Sequence, residues 1–212
     1  SSLEAAVELD PSSAEAHHLL GRALEEAGDY RQALIHLTEA CHLAPEHGAA
    51  HEAVGRAGLH LGAVSEAEAA FRRAVSLNPS EASPRLGLAR ALEAQSQNLE
   101  ARKVLEESLT ASPEQAELRA ALGRVCLRLG SYDAAVDHLR AALQTLRERA
   151  ELHAHLGEAY QALDAPERAL GHFRSAARLA PETISYRRQV ARTAFQLGRF
   201  NEALEEAEGA LG

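Results

Sequence analysis

Tryptophan and methionine are absent from these 212 residues, and Phe and Tyr occur four times each, so aromatics make up only 4%. A core must therefore be built from Ala, Leu and Val. The two cysteines, Cys41 and Cys126, exclude a disulfide framework, and no Cys-x-x-Cys is present. No apolar run approaches the length of a membrane-spanning helix, so membrane insertion is excluded. Basic residues are outnumbered, 22 against 31 acidic, giving a net charge of −9 with a single lysine. That balance excludes the nucleic-acid backbone as a main partner. The 46% apolar content is nevertheless too high for a disordered acidic chain. The opening SSLEAAVELDP lacks the basic and apolar regions of a signal peptide. Cytoplasm is the expected compartment, with the periplasm open if an export signal has been removed.

What is present is organised by one strict period. Pro11, Pro45, Pro79 and Pro113 fall 34 apart, Pro181 lies two periods further on, and Arg147 alone interrupts the series. Ala33, Ala67, Ala101, Ala135, Ala169 and Ala203 keep the period unbroken, as do Leu20, Val54, Leu88, Leu122, Leu156 and Val190, each followed by Gly or Ala. A fourth column is Ala40, Ala74, Ser108, Ala142, Ala176 and Ala210. Each period holds two amphipathic segments, such as 14–27 and 31–43 in the first. Gly28-Asp29, Gly62, Gly130 and Gly198 stop the first segment, with Ser96-Gln97-Asn98 and Asp164-Ala165-Pro166 as polar substitutes. The second segment ends before the proline, whose ring and missing N–H forbid continuation. Gly21 and Ala33 allow two helices to approach closely, with Leu20 and Leu37 filling the surrounding space.

The pattern His17-x-x-Leu20-Gly21-x-x-Leu24, followed by Ala33-x-x-x-Leu37, Ala40 and Pro45, resembles the tetratricopeptide repeat. Leu122-Gly123 with Tyr132, Ala135 and Leu139, and Leu156-Gly157-x-x-Tyr160 with Ala169, Phe173 and Pro181, are its best later copies. The resemblance implies an all-α fold, a right-handed α-solenoid of stacked helix-turn-helix units. Its expected divisions are 1–13, the second helix of a truncated unit, then units 14–47, 48–81, 82–115, 116–149, 150–183 and 184–212, all in one solenoid spanning 1–212. Both ends read as cut, so a longer protein is expected. The sequence departs from the family where Trp is frequent: His17, His51, Arg85, Arg119, His153 or Arg187 stands there instead. Gly58, Cys126 and Ala194 occupy a column that is frequently aromatic in the family, and Cys126 is expected to be a small buried hydrophobe.

No catalytic constellation is legible. His-Glu-x-x-His, Gly-x-Ser-x-Gly and a phosphate-cradling glycine loop are all missing. The histidine clusters His17-His18 and His153-x-His155 lack the i, i+4 spacing that sets two ligands on one helical face, so no metal site, cofactor or catalytic residue is expected. One charged column does stand out: Arg22, Arg56, Arg90, Arg124, then Glu158, then Arg192. On a helical wheel Arg22 points roughly 150° away from the mean direction of His17, Leu20, Gly21 and Leu24. In tetratricopeptide proteins the first helix of each pair lines a concave groove, so the resemblance implies an Arg ladder there, able to grip carboxylates. Arg128 and Arg188 extend it, one helical turn from Arg124 and Arg192. Leu59, Leu127 and Phe195 form an apolar column beside it, either as pockets for a ligand or as packing against the following unit. Internal pairing is the competing reading of the ladder: Arg22 with Glu25 and Glu26, Arg56 with Glu52, Arg90 with Glu93, and Glu158 bridging Arg124 and Arg192.

These residues define a protein-protein interaction scaffold that takes an acidic-hydrophobic peptide or partner domain in its groove. Two alternatives remain open. One is a self-assembling structural scaffold, hence a homo-oligomer. The other is the substrate-recruiting arm of a larger enzyme, such as a glycosyltransferase.

Overall fold

The computed structural model describes residues 2–209, which form thirteen α-helices and no strands. The chain divides into two compact units, Ser1–Ala111 and Ser112–Gly212. The first contains α1 (Ser2–Leu9), α2 (Ala14–Glu26), α3 (Tyr30–Leu43), α4 (Gly48–Leu61), α5 (Val64–Leu77), α6 (Ala82–Ala94) and α7 (Asn98–Ala111). The second contains α8 (Ala116–Arg128), α9 (Tyr132–Thr145), α10 (Ala150–Ala162), α11 (Pro166–Leu179), α12 (Ile184–Gln196) and α13 (Phe200–Glu208). Within each unit every helix packs on the next in sequence, the arrangement of an α-solenoid.

The turn between the two helices of a repeat is written into one column. Gly28, Gly62, Gly130 and Gly198 have φ of 73–83°, and Ser96 and Asp164, at the same position in other repeats, have φ of 62° and 55°. This left-handed residue lets the following N–H fold back onto the helix, a Schellman-type closure. Asp29 N–H thus reaches the carbonyl of Leu24 at 2.9 Å, and the equivalent N–H groups of Ala63, Gln97, Ser131, Ala165 and Arg199 do the same to Gly58, Leu92, Cys126, Tyr160 and Ala194 at 2.8–2.9 Å. Ser13 and Asp29 cap the following helices with side-chain oxygens, accepting from Ala16 and Gln32 N–H.

The core follows the same register. Ala33, Ala67, Ala101, Ala135 and Ala169 have no exposed surface, and Ala203 is buried. Leu37, Phe71, Leu105, Leu139 and Phe173, again 34 apart, are the large buried side chains of the second helices. They lie against the small residues of the first helices: a Cβ added to Gly21 would sit 2.6 Å from Leu37, and one added to Gly157 would sit 2.5 Å from Phe173. Cys126 is buried, as expected. Burial raises the Cys41 thiol to about 11. Ala210, the last member of its column, lies outside the described residues.

Four of the residues that replace Trp act as polar staples, while Arg187 donates instead to the carbonyl of Gly209. His17 Nε2 bonds the carbonyl of Pro11, six residues earlier; His51 bonds that of Pro45, and Arg119 that of Pro113. His153 bonds the backbone of Arg147, the residue that interrupts the proline series. With His17 Nε2–H donating to the carbonyl, Nδ1 is free to accept from His36 Nδ1–H, 3.2 Å away. His153 and His172 repeat this pair at 3.1 Å, with Tyr160 stacked on His172 at 5.5 Å.

Gly157→Ala is expected to cost about 1–3 kcal/mol, because the fully buried Phe173 ring has nowhere to move, and the urea midpoint of the variant measures it. His153 and His172 both have pKa values below the ordinary 6.5, foremost through burial, with Arg178 and Arg140 respectively adding like charge. The unfolded chain therefore binds these protons more readily than the native one. Their contribution to stability is complete above pH 6.5 and is lost as pH falls through the native values, so the urea midpoint should drop on acidification and drop less in His172→Gln.

Candidate functional site

In the first unit one member of the arginine column, Arg56, is bound into the structure. Arg56, on α4, grips Glu25 of α2 with two bonds, Nε to Oε1 at 2.8 Å and Nη2 to Oε2 at 2.9 Å, and also holds Glu52 at 3.0 Å. The Glu25 bond is the main reason the Arg56 guanidinium is stabilised in its charged form. Glu25 thus serves the next repeat and not Arg22, which instead faces Glu26 at 3.7 Å. A cavity of about 350 Å³ lies between these groups, lined by His18, Arg22, Ala49, Glu52 and Arg56. Arg90, on α6, is exposed, and Leu59, near the end of α4, is half-buried.

The second unit is arranged differently. Arg188 and Arg192 stand one turn apart on α12, both exposed, and among the described residues neither makes an ion pair. Arg192 lines two cavities. One, of about 550 Å³, is shared with Glu158, Gln161 and Gln196; the other, of about 380 Å³, with Ser185, Arg188 and Gln189. Glu158 makes no ion pair with Arg192 among the described residues, so the internal-pairing alternative does not hold for Arg192. Desolvation instead pushes the Glu158 carboxyl above its usual pKa. Gln161 spans from α10 to α12, donating to Thr193 Oγ1 at 3.1 Å. Arg124 is half-buried and Arg128 exposed, and both are engaged in contacts. Leu127 is half-buried, whereas Phe195 is 63% exposed, its ring set edge-on against Phe200 at 5.4 Å.

Sequence spacing overlooked a second set of charges, which tie successive second helices together. Arg72 on α5 pairs with Glu68 on its own helix and Glu100 on α7; Arg174 on α11 pairs with Glu202 on α13. Both inter-helix pairs span 28 residues and occupy equivalent repeat positions. Column-by-column inspection for Arg with Glu at that separation would have found them.

The helix-pair geometry agrees with a sequence match. The tetratricopeptide repeat model matches residues 1–45, 18–82 and 86–154. The chain belongs to the tetratricopeptide repeat family. No curated protein matches the sequence. Among solved structures, a chain of the APC/C hetero-tetramer Cut9-Hcn1 aligns with 99% of this tetratricopeptide protein at a TM-score of 0.83 and 18% identity. This protein spans only 41% of the length of that chain. TTC0263, a thermophilic tetratricopeptide protein of Thermus thermophilus, matches with a TM-score of 0.68 and 25% identity over 86% of this chain and all of its own. YrrB, described as a tetratricopeptide protein with an unusual peptide-binding site, matches with a TM-score of 0.68 and 18% identity, covering 88% of this chain and 96% of its own. The fold is that of a protein-protein interaction scaffold. No helix among the described residues is long and apolar enough to cross a membrane.

The Glu25–Arg56 pair is a stability element open to direct measurement. Arg56 remains 40% exposed, so solvent screens the interaction, and Glu25→Ala is expected to cost about 1 kcal/mol in urea denaturation.

Proposed function

We propose that this protein is a peptide-binding scaffold whose second unit holds an acidic-hydrophobic segment on the face formed by α10 and α12. The observation that carries this reading is the exposed Arg188-Arg192 pair, which has no carboxylate partner among the described residues although the chain as a whole carries net charge −9. Two like charges at i, i+4 destabilise a helix slightly unless something neutralises them. A ligand carboxylate does so, and the planar guanidinium forks favour bidentate contacts. Phe195, one turn beyond Arg192, offers exposed aromatic surface to an apolar anchor of the same ligand.

Arg124, Arg128 and Leu127 widen the candidate surface on α8. In the first unit Arg22, Arg90 and Leu59 offer a second, weaker place of the same chemistry, while Arg56 is held by Glu25 and Glu52 and acts as its support. Glu158 contributes selectivity. Its like charge disfavours a ligand acid placed beside it on α10, which steers ligand acids toward α12. A peptide-binding site is described for YrrB, a protein of the same fold, and that likeness supports the class of ligand but not its sequence.

Fluorescence anisotropy with labelled peptides tests the reading, using an extended Leu-rich peptide with Asp at every third position and its Lys-substituted counterpart. The acidic peptide should bind, and bind less tightly as salt rises. Arg188→Glu with Arg192→Glu should weaken it at least about tenfold while leaving the circular dichroism spectrum unchanged. Equal affinity for both proteins would remove α12 as the site.

A further inference from the structure

Glu15 and His18 lie one turn apart at the start of α2, and His47 is the N-cap residue of α4. Their donor atoms come together within the first unit: one ligand atom from each lies within 4.8 Å of the others, and His47 Nε2 stands 3.5 Å from Glu15 Oε2. That separation is close to the edge of a coordination tetrahedron with bonds of about 2.0–2.1 Å. The His18 and His47 rings meet edge to face with centroids 4.6 Å apart.

His18 is the anomaly in this cluster. It is only 6% exposed, yet neither ring nitrogen has a hydrogen-bond partner. A buried polar group left unpaired is costly and uncommon in a native fold. We propose that Glu15, His18 and His47 bind a divalent transition-metal ion of the zinc class. Two imidazole nitrogens and one carboxylate oxygen suit Zn²⁺, Co²⁺ or Ni²⁺ and not Ca²⁺ or Mg²⁺, which take oxygen ligands. Three protein donors leave a fourth position for water.

The surroundings fit this assignment. Burial foremost, and the adjacent His47, lower the pKa of His18, keeping it in the neutral form that a metal needs. Arg22 and Arg56 are the nearby cations, but Glu26 faces the first, and Glu25 and Glu52 both hold the second. The local balance with Glu15 is therefore negative. Glu15 is largely exposed and can swing its carboxylate to close the longer gaps. The proton inventory is also neutral. His47 Nδ1 now accepts from Ala50 N–H at 3.0 Å, so its proton is on Nε2. Metal at Nε2 moves that proton to Nδ1 through solvent and gives up the cap bond, which lowers the affinity without releasing a proton. Sequence spacing gave these histidines no metal role, because His18 and His47 belong to different repeats and meet only through the stacking of α2 against α4.

Titrating the full chain with Co²⁺, read by visible absorption, tests the site. One equivalent should develop the intense d–d bands of tetrahedral cobalt, and Zn²⁺ should abolish them. His47→Asn keeps an N-cap acceptor but removes the imidazole, and Glu15→Gln alters an exposed position, so both variants should fold normally. Each should weaken Co²⁺ at least about tenfold, as expected for loss of a ligand given the roughly 10–100-fold effect of outer-shell changes. Zn²⁺ should raise the melting temperature of the wild type more than that of either variant. Absence of tetrahedral bands in the wild type, or identical bands in both variants, would overturn the assignment; the latter would place the metal at the His17–His36 or His153–His172 pair.

Discussion

Everything in this fold depends on one steric fit: a large second-helix side chain seated where the first helix has no Cβ. Leu37 on Gly21 and Phe173 on Gly157 are the clearest cases. Without tryptophan or methionine, the chain fills five successive repeats with a single Leu or Phe set among alanines. The helices must then come close enough for small residues to touch. Close approach brings backbone near backbone and leaves little tolerance for added volume. The strict period is the sequence record of this requirement, since Gly21, Gly55, Gly123 and Gly157 each meet their filler in the same register.

Charge in this protein has two uses that look alike in sequence. On the second helices, Arg72 with Glu100 and Arg174 with Glu202 fasten one repeat to the next. On the first helices, Arg56 is clamped by three bonds to Glu25 and Glu52, while Arg188 and Arg192 project from α12 beside open cavities. The difference arises from what the preceding repeat presents. Before Arg56 stands Glu25, at the first repeat's position in the column; before Arg192 the same column carries Gln161, which cannot neutralise a guanidinium and spends its amide on Thr193. A single change of residue type thus separates an arginine clamped by carboxylates from one left exposed.

Periodicity made the fold legible because helix stops, small residues and fillers recur at fixed spacing. Even the non-glycine turn residues Ser96 and Asp164 could be assigned from their column, and the structure gives both positive φ. Pairing across repeats was less legible. Glu25 sits close to Arg22 in the chain, and local spacing assigns it there, yet stacking brings it to Arg56, 31 residues away. Glu158 and Arg192 likewise form no ion pair among the described residues: sharing a column brings residues near one another but does not set the reach of their side chains. The gathering of Glu15, His18 and His47 is further removed from sequence, since it joins a helix start to a cap in the next repeat.

The staple from His17 to the carbonyl of Pro11 has a consequence for how such a chain can change. Four repeats secure their own entry turn with a residue six positions onward, as His51 does to Pro45, Arg119 to Pro113 and His153 to Arg147. Donor, acceptor and turn therefore travel together in one stretch of chain. A duplication or deletion of one whole period carries the fastening with it, whereas a gap of another length within the staple parts the donor from its carbonyl. The array can lengthen or shorten by whole cassettes while its local geometry is inherited intact.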